Sequence, residues 1–233
     1  MTGTLYGIGS GPGDPELVTR KAWRIVSEAQ VIAYPSAEGT GSFARSIMAE
    51  AISPDAVEIE MPVPMVSGRA PAQSIYESGA ATIRQHLEAG RDVAVLCEGD
   101  PLFYGSFMYV LARLRDDFTT MVIPGVTSMT ACASAHRQAL VARNDTLVVI
   151  PATLDDETSR DRIAMAEAAV IMKLGRHLPR LKSLLDGMGL TGKALFVSHA
   201  SLPHENATPL AEAPEEAPYF SMIIIYKGAD PWI

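Results

Sequence analysis

Short apolar runs rich in Val and Ile alternate along the chain with longer segments of helical period, and three of the runs break into glycine-bearing turns before the next helix. That alternation is the pattern of an α/β protein. Strands are expected at Leu5 to Ile8, Val31 to Tyr34, Val57 to Met61, Asp92 to Cys97, Thr120 to Ile123, Thr146 to Ile150, Ala168 to Met172, Ala194 to Ser198 and Tyr219 to Tyr226. In the last of these, Met222-Ile223-Ile224-Ile225 is continuously apolar and predicts burial on both faces.

A first helix is predicted from Asp14 as N-cap, with Pro15 in its first position, to about Glu28. Others are predicted over 42–51, 71–89 (closed by Gly90), 104–115, 127–136, 159–167 and 177–187. Residues 62–71 and the acidic, proline-rich stretch 203–218 read as loops, the second with room for one short strand. Arg137 to Asp145 has no clear period and reads as a linker between an N-terminal α/β lobe, 1–136, and a C-terminal α/β lobe, 146–233.

The first glycine turn invites comparison with a dinucleotide-binding loop, and it fails residue by residue. G-x-G-x-x-G starting at Gly7 requires glycine where Pro12 stands, and starting at Gly9 it requires glycine where Asp14 stands. Asp14 also brings its own carboxylate to the helix start that a pyrophosphate would occupy. A net charge of -8 argues against a nucleic-acid partner, which calls for a basic face. The two cysteines, Cys97 and Cys132, form no C-x-x-C pair, so neither a zinc site nor a disulfide framework is expected and a reducing cytoplasm is the natural setting. No run reaches the roughly 18 to 20 apolar residues of a membrane span, and the start of the chain lacks a basic segment followed by an apolar one.

More telling, Gly-Asp-Pro occurs at both 13–15 and 99–101, each time between an expected strand and an expected helix. A third turn, Pro124-Gly125-Val126-Thr127-Ser128, again follows an apolar strand. Strand C-terminal ends are where open α/β sheets bind ligands, although Asp-Pro is also simply an efficient helix cap. Gly9-Ser10-Gly11-Pro12-Gly13-Asp14-Pro15-Glu16-Leu17-Val18-Thr19, then Glu98-Gly99-Asp100-Pro101-Leu102-Phe103-Tyr104-Gly105, then the third turn resemble the three signatures of the tetrapyrrole (corrin and porphyrin) methylases, over essentially the whole chain.

The variant from Glu98 to Tyr109 resembles most closely the branch that methylates carbon 20 of precorrin-2 in cobalamin synthesis. Tyr34-Pro35-Ser36 and Ser42-Phe43-Ala44-Arg45 look typical of that branch, whereas uroporphyrinogen methylases usually show Gly-Gly-Asp-Pro and an Asp after the tyrosine of the second strand. The resemblance implies a two-lobed, class III methyltransferase fold with S-adenosylmethionine in the cleft between lobes, a tetrapyrrole substrate, and a homodimer. Carried over by position, it implies donor contacts at Pro12, Glu98, Gly99, Asp100, Phe103, Thr127, Ser128, Met172 and Ala200. No metal ligand is implied.

A sulfonium methyl is already electrophilic and the bridging carbon of a reduced tetrapyrrole is nucleophilic, so the main tasks are alignment and exclusion of water. Asp100 reads equally as a ligand acceptor and as a cap, and the residues do not identify the proton acceptor. Substrate carboxylates call for cations, for which Arg20, Lys21, Arg45, Arg69, Arg137, Arg143 and Arg176 are candidates, each also readable as a solvated surface residue. Cys97 and most of Met61, Met65, Met108, Met129 and Met172 read as core, and the histidines as loop or helix-surface residues. The rival readings are a cobalt-containing substrate, another tetrapyrrole methylase, an RNA methyltransferase of the same fold, and a tetrapyrrole carrier.

Overall fold

In the computed structural model, which describes residues 1–37, 39–64 and 70–228, the run Val93–Cys97 stands at the centre of a sheet and has all of its residues buried. The sheet contains β1 (Leu5–Gly9), β2 (Val31–Ala37), β3 (Val57–Val63), β4 (Val93–Cys97) and β5 (Thr120–Ile123) in the order β3-β2-β4-β1-β5. Every pairing is parallel, so all five C-terminal ends lie along one edge. One face packs on α1 (Arg20–Glu28) and α2 (Phe43–Ile47), the other on α3 (Ala70–Glu88) and α4 (Phe107–Leu114).

Close packing between α4 and the sheet depends on a matched pair. A Cβ on Gly7 would lie 2.4 Å from the ring of Phe107, which is fully buried, so the missing side chain of β1 makes room for the aromatic ring. Phe107→Ala removes a fully buried ring from the core cluster that includes Ile83, Val95, Val110 and Leu114. It should lower stability by about 3–5 kcal/mol in urea unfolding; a loss below about 1 kcal/mol would contradict this packing.

The first expected helix and the second expected strand depart from the sequence reading. The helix expected from Asp14 to Glu28 is instead a short 3-10 turn, Pro15–Leu17, and then α1. Asp14 accepts from the Glu16 N–H at 2.8 Å, Val18 is extended, and Thr19 starts a second helix by accepting from the Ala22 N–H at 3.2 Å. Two good caps five residues apart, Asp14 and Thr19, thus divide one helical stretch. β2 also runs past Tyr34 to Ala37, through Pro35. Its ladder with β4 ends at Ala33 while that with β3 continues, so the missing proline N–H falls where only one neighbour remains.

A second compact unit spans Ser128–Ile233, the first being Met1–Thr127. Its sheet has the order β6-β7-β10-β8-β9, with β6 (Leu147–Pro151), β7 (Ala168–Met172), β8 (Ala194–Ser198), β9 (Asn206–Pro209) and β10 (Ser221–Tyr226). Only β6 and β7 pair in parallel; the other neighbours are antiparallel. β10 lies in the middle, and Met222 to Ile225 are buried as their apolar run predicts. α6 (Asp156–Met165) and α7 (Leu178–Gly187) complete the larger core of this unit.

α5 (Ser128–His136), which the sequence reading assigns to the N-terminal lobe, packs on β8, β9 and β10. Ala131 and Cys132 bury into a cluster with Val170, Val197, Ala200, Met222 and Ile224. Residues 137–145, read as a linker, adjoin the same unit: Asp145 accepts from the Tyr226 hydroxyl at 2.8 Å, and a ring nitrogen of His136 lies 3.1 Å from the Phe196 carbonyl. Small residues hide this from the sequence, because Ala, Cys and Ser on α5 give no strong amphipathic stripe. Among the described residues no helix is long and apolar enough to cross a membrane.

Candidate active site

Three turns leave the C-terminal ends of β1, β4 and β5 side by side, and their glycines are what lets them meet. A Cβ on Gly125 would lie 2.0 Å from the Gly99 carbonyl oxygen and 2.9 Å from the Gly9 Cα; one on Gly9 would lie 2.5 Å from the Gly125 nitrogen. These glycines therefore admit one backbone to another, whereas the sequence alone left open an approach to a ligand. Gly11 and Gly99 form an isolated antiparallel bridge, each donating to the other's carbonyl at 3.2 and 2.8 Å respectively. Ser10 is buried and donates both its N–H and its hydroxyl to the Cys97 carbonyl, each at 2.8 Å.

Asp100 locks the arrangement. One carboxylate oxygen accepts from the Leu102 and Phe103 N–H groups at 2.9 and 3.2 Å, and the other accepts from the Gly125 N–H at 3.1 Å. Of the two roles its sequence context allows, the cap is thus realised, and the same side chain also clasps the turn after β5. Beyond it Tyr104 sits at a φ of 55°, and Phe103, half-buried, meets the Tyr104 ring edge-on at 5.2 Å. The helix expected from Tyr104 begins only at Phe107 because this turn consumes the intervening residues.

The first unit thereby gathers Glu98, Gly99, Asp100 and Phe103 with Pro12, which follows the bridged Gly11, and ends on Thr127. In the second unit Ser128 starts α5, Met172 ends β7, and Ala200 follows β8; Met172 and Ala200 share the apolar cluster under α5. Lys173 and His199, each just past its strand, have φ of 61° and 54°, conformations rare for residues with a Cβ. The His199 and His204 rings meet at a tilt of 51°, with centroids 4.2 Å apart.

Of the cations considered for substrate carboxylates, Arg45 is committed: its Nε and one Nη each donate to Glu58 at 2.8 Å. Arg20 and Lys21 are exposed along a groove that also includes Trp23, and Arg137, Arg143 and Arg176 are exposed. Arg69 and Met65 lie outside the described residues. Nothing in the sequence marks Glu58, on β3, as the partner of Arg45 on α2. The Arg45 hydrogen bonds hold the Glu58 carboxyl below the usual range, against a smaller opposing effect of burial.

A lowered carboxyl contributes stability above its unfolded pKa and loses it as pH falls through the folded one. The pair is partly exposed, so Glu58→Gln should cost about 0.5–1 kcal/mol at neutral pH and almost nothing near pH ~2. Chemical unfolding at both pH values checks this, and an equal cost at both would show that packing rather than charge is at stake.

Cys97 and Cys132 are free and buried, and burial pushes their thiols to about 11 and about 12, unsuited to nucleophilic use. Met61 is core, packed so closely on α3 that a Cβ on Gly79 would lie 2.5 Å from its sulfur. Met108 is exposed. Among the described residues the Ser36 hydroxyl, near the end of β2, is one of the buried polar groups without a hydrogen-bond partner, and nothing in the sequence marked it.

The sequence profile of the Tetrapyrrole (Corrin/Porphyrin) Methylases matches residues 4–214. The chain is 40% identical over 232 residues to a precorrin-2 C(20)-methyltransferase of Sinorhizobium sp, covering 96% of this chain and 95% of that one. It is 29% identical to the cobalt-precorrin-2 C(20)-methyltransferase of Salmonella typhimurium, covering 97% and 98% of the two chains. Among solved structures it is similar to the uroporphyrin-III C-methyl transferase from Thermus thermophilus complexed with S-adenyl homocysteine, with a TM-score of 0.69, 25% identity, and 95% and 97% of the chains covered.

Proposed function

Because the chain belongs to the tetrapyrrole (corrin/porphyrin) methylases, we propose that it transfers a methyl group from S-adenosylmethionine to carbon 20 of precorrin-2, giving precorrin-3A in cobalamin biosynthesis. The observation that carries this reading is the 40% identity, over nearly the full length of both chains, to a precorrin-2 C(20)-methyltransferase. The lower identity, 29%, to a relative named for the cobalt-containing substrate favours the metal-free one.

The residues fit a sulfonium donor. The three turns, 9–15, 98–105 and 124–128, contain no Lys, Arg or His, so a positive sulfur meets no like charge from them. The donor, when bound, supplies an electrophilic methyl. Pro12, Gly99 and Phe103 would hold it from the first unit, with Thr127, Ser128, Met172 and Ala200 as further contacts, while Asp100 keeps the turns in register. Pro12 and Phe103, both half-buried, offer apolar surface that keeps water from the reacting atoms. Two buried free cysteines agree with a reducing cytoplasmic setting, and a homodimer is the assembly that goes with this reading.

Mass analysis after separate incubations with uroporphyrinogen III, precorrin-2 and cobalt-precorrin-2 tests the assignment. One methyl added to precorrin-2 is expected, faster than to the cobalt form. Two methyls added to uroporphyrinogen III would move the protein to another branch of the family.

A further inference from the structure

Among the described residues, one carboxylate in the turns after β1 and β4 has no hydrogen-bond or ion-pair partner. Three acids stand in the turns after β1 and β4, namely Asp14, Glu98 and Asp100. Asp14 caps the 3-10 turn and Asp100 accepts three backbone N–H groups. Glu98 makes no hydrogen bond or ion pair among the described residues. Its side chain is exposed, yet its backbone is held between the last residue of the central strand and the bridged, buried Gly99.

Neighbouring groups do not compete for the role a free carboxylate can play here. Cys97 stays protonated, burial also raises the Tyr34 phenol, and the turn after β5 contains no titratable side chain. Although the residue reaches solvent, the protein packed around its carboxyl partly desolvates that group and pushes it above the usual range, with no charged neighbour contributing. An unpaired carboxylate whose backbone is anchored at this edge, and whose affinity for protons is raised, is suited to general-base work.

We infer that Glu98 accepts the proton released when the substrate carbon is methylated. The inference rests on the methyltransferase reading and adds to it a role for this side chain. A carbon–carbon bond forms as the carbon–sulfur bond breaks, and sulfur keeps that electron pair as a thioether. The proton on the methylated carbon or its conjugated neighbour passes to a Glu98 carboxylate oxygen, its bonding pair restores the double bond, and the exposed acid returns the proton to solvent. No oxidant or reductant is required.

The test compares wild type, Glu98→Gln and Glu98→Asp. Glu98→Gln, which keeps a hydrogen-bonding side chain where the resemblance implies a donor contact, should lose far less in S-adenosylhomocysteine affinity by calorimetry than in kcat, which should fall about 10²- to 10⁴-fold with little change in KM. The acidic limb of the kcat profile should vanish with it, and Glu98→Asp should recover part of both. Difference infrared titration of the unliganded wild type against Glu98→Gln should place this carboxyl above about 4.3, the ordinary glutamate value. Full kcat in Glu98→Gln, a titration at or below that value, or joint loss of kcat and S-adenosylhomocysteine binding without rescue by Asp would each overturn the inference. If wild type itself transfers no methyl to precorrin-2 in either form, the failure lies with the assigned function instead.

Discussion

Gly125→Ala is expected to prevent the first unit from closing its functional edge. The added carbon would stand 2.0 Å from a carbonyl oxygen and 2.9 Å from an α-carbon, and both belong to backbone that is itself hydrogen-bonded. A flexible side chain would swing aside; here a whole turn must move, and with it the bond from Gly125 to Asp100. Overpacking in a rigid core costs about 1–3 kcal/mol, and the loss of a charge-assisted hydrogen bond adds roughly 1.5–3. Thermal melting should show either an insoluble variant or a fall in Tm of at least about 5 °C, at about 2–4 °C per kcal/mol for a chain of this size. A variant that melts within a degree or two of wild type would show that the turns do not meet as described.

Asp100→Ala attacks the same edge from its polar side and separates stability from ligand binding. Three N–H groups lose their acceptor, two within the turn after β4 and one from the turn after β5. All three sit at the margin of the core, where water replaces part of what is lost, so the expected cost is about 2–4 kcal/mol in urea unfolding. Affinity for S-adenosylhomocysteine should fall more than tenfold under conditions where the variant is folded, because the proposed contacts at Gly99, Phe103 and Thr127 rely on that clasp. Asp100→Asn keeps one acceptor oxygen and should lie between wild type and alanine in both measurements. Unchanged affinity in a folded Asp100→Ala would confine Asp100 to capping.

The strands were legible because their cores are continuous apolar runs. Thr120 to Ile123, Ala168 to Met172 and Ala194 to Ser198 lie where their composition puts them, and the turns after β1, β4 and β5 follow from Gly-Asp-Pro and Pro-Gly. What the sequence hid are relations between distant segments. Asp100 as a clasp depends on Gly125 arriving beside it, Arg45 is neutralised by a glutamate on β3, and the membership of α5 depends on small residues whose contacts lie more than thirty residues away. The break between Asp14 and α1 is different. Both caps are visible in the sequence, and the choice between one helix and two is decided by Val18 turning extended.

The most direct test is an anaerobic incubation of the purified protein with S-adenosylmethionine carrying a ¹³C-labelled methyl and precorrin-2, followed by NMR of the product. A single labelled methyl on carbon 20 is the predicted result. Labelled methyl at any other position, or none despite binding of S-adenosylhomocysteine, would contradict the proposed reaction.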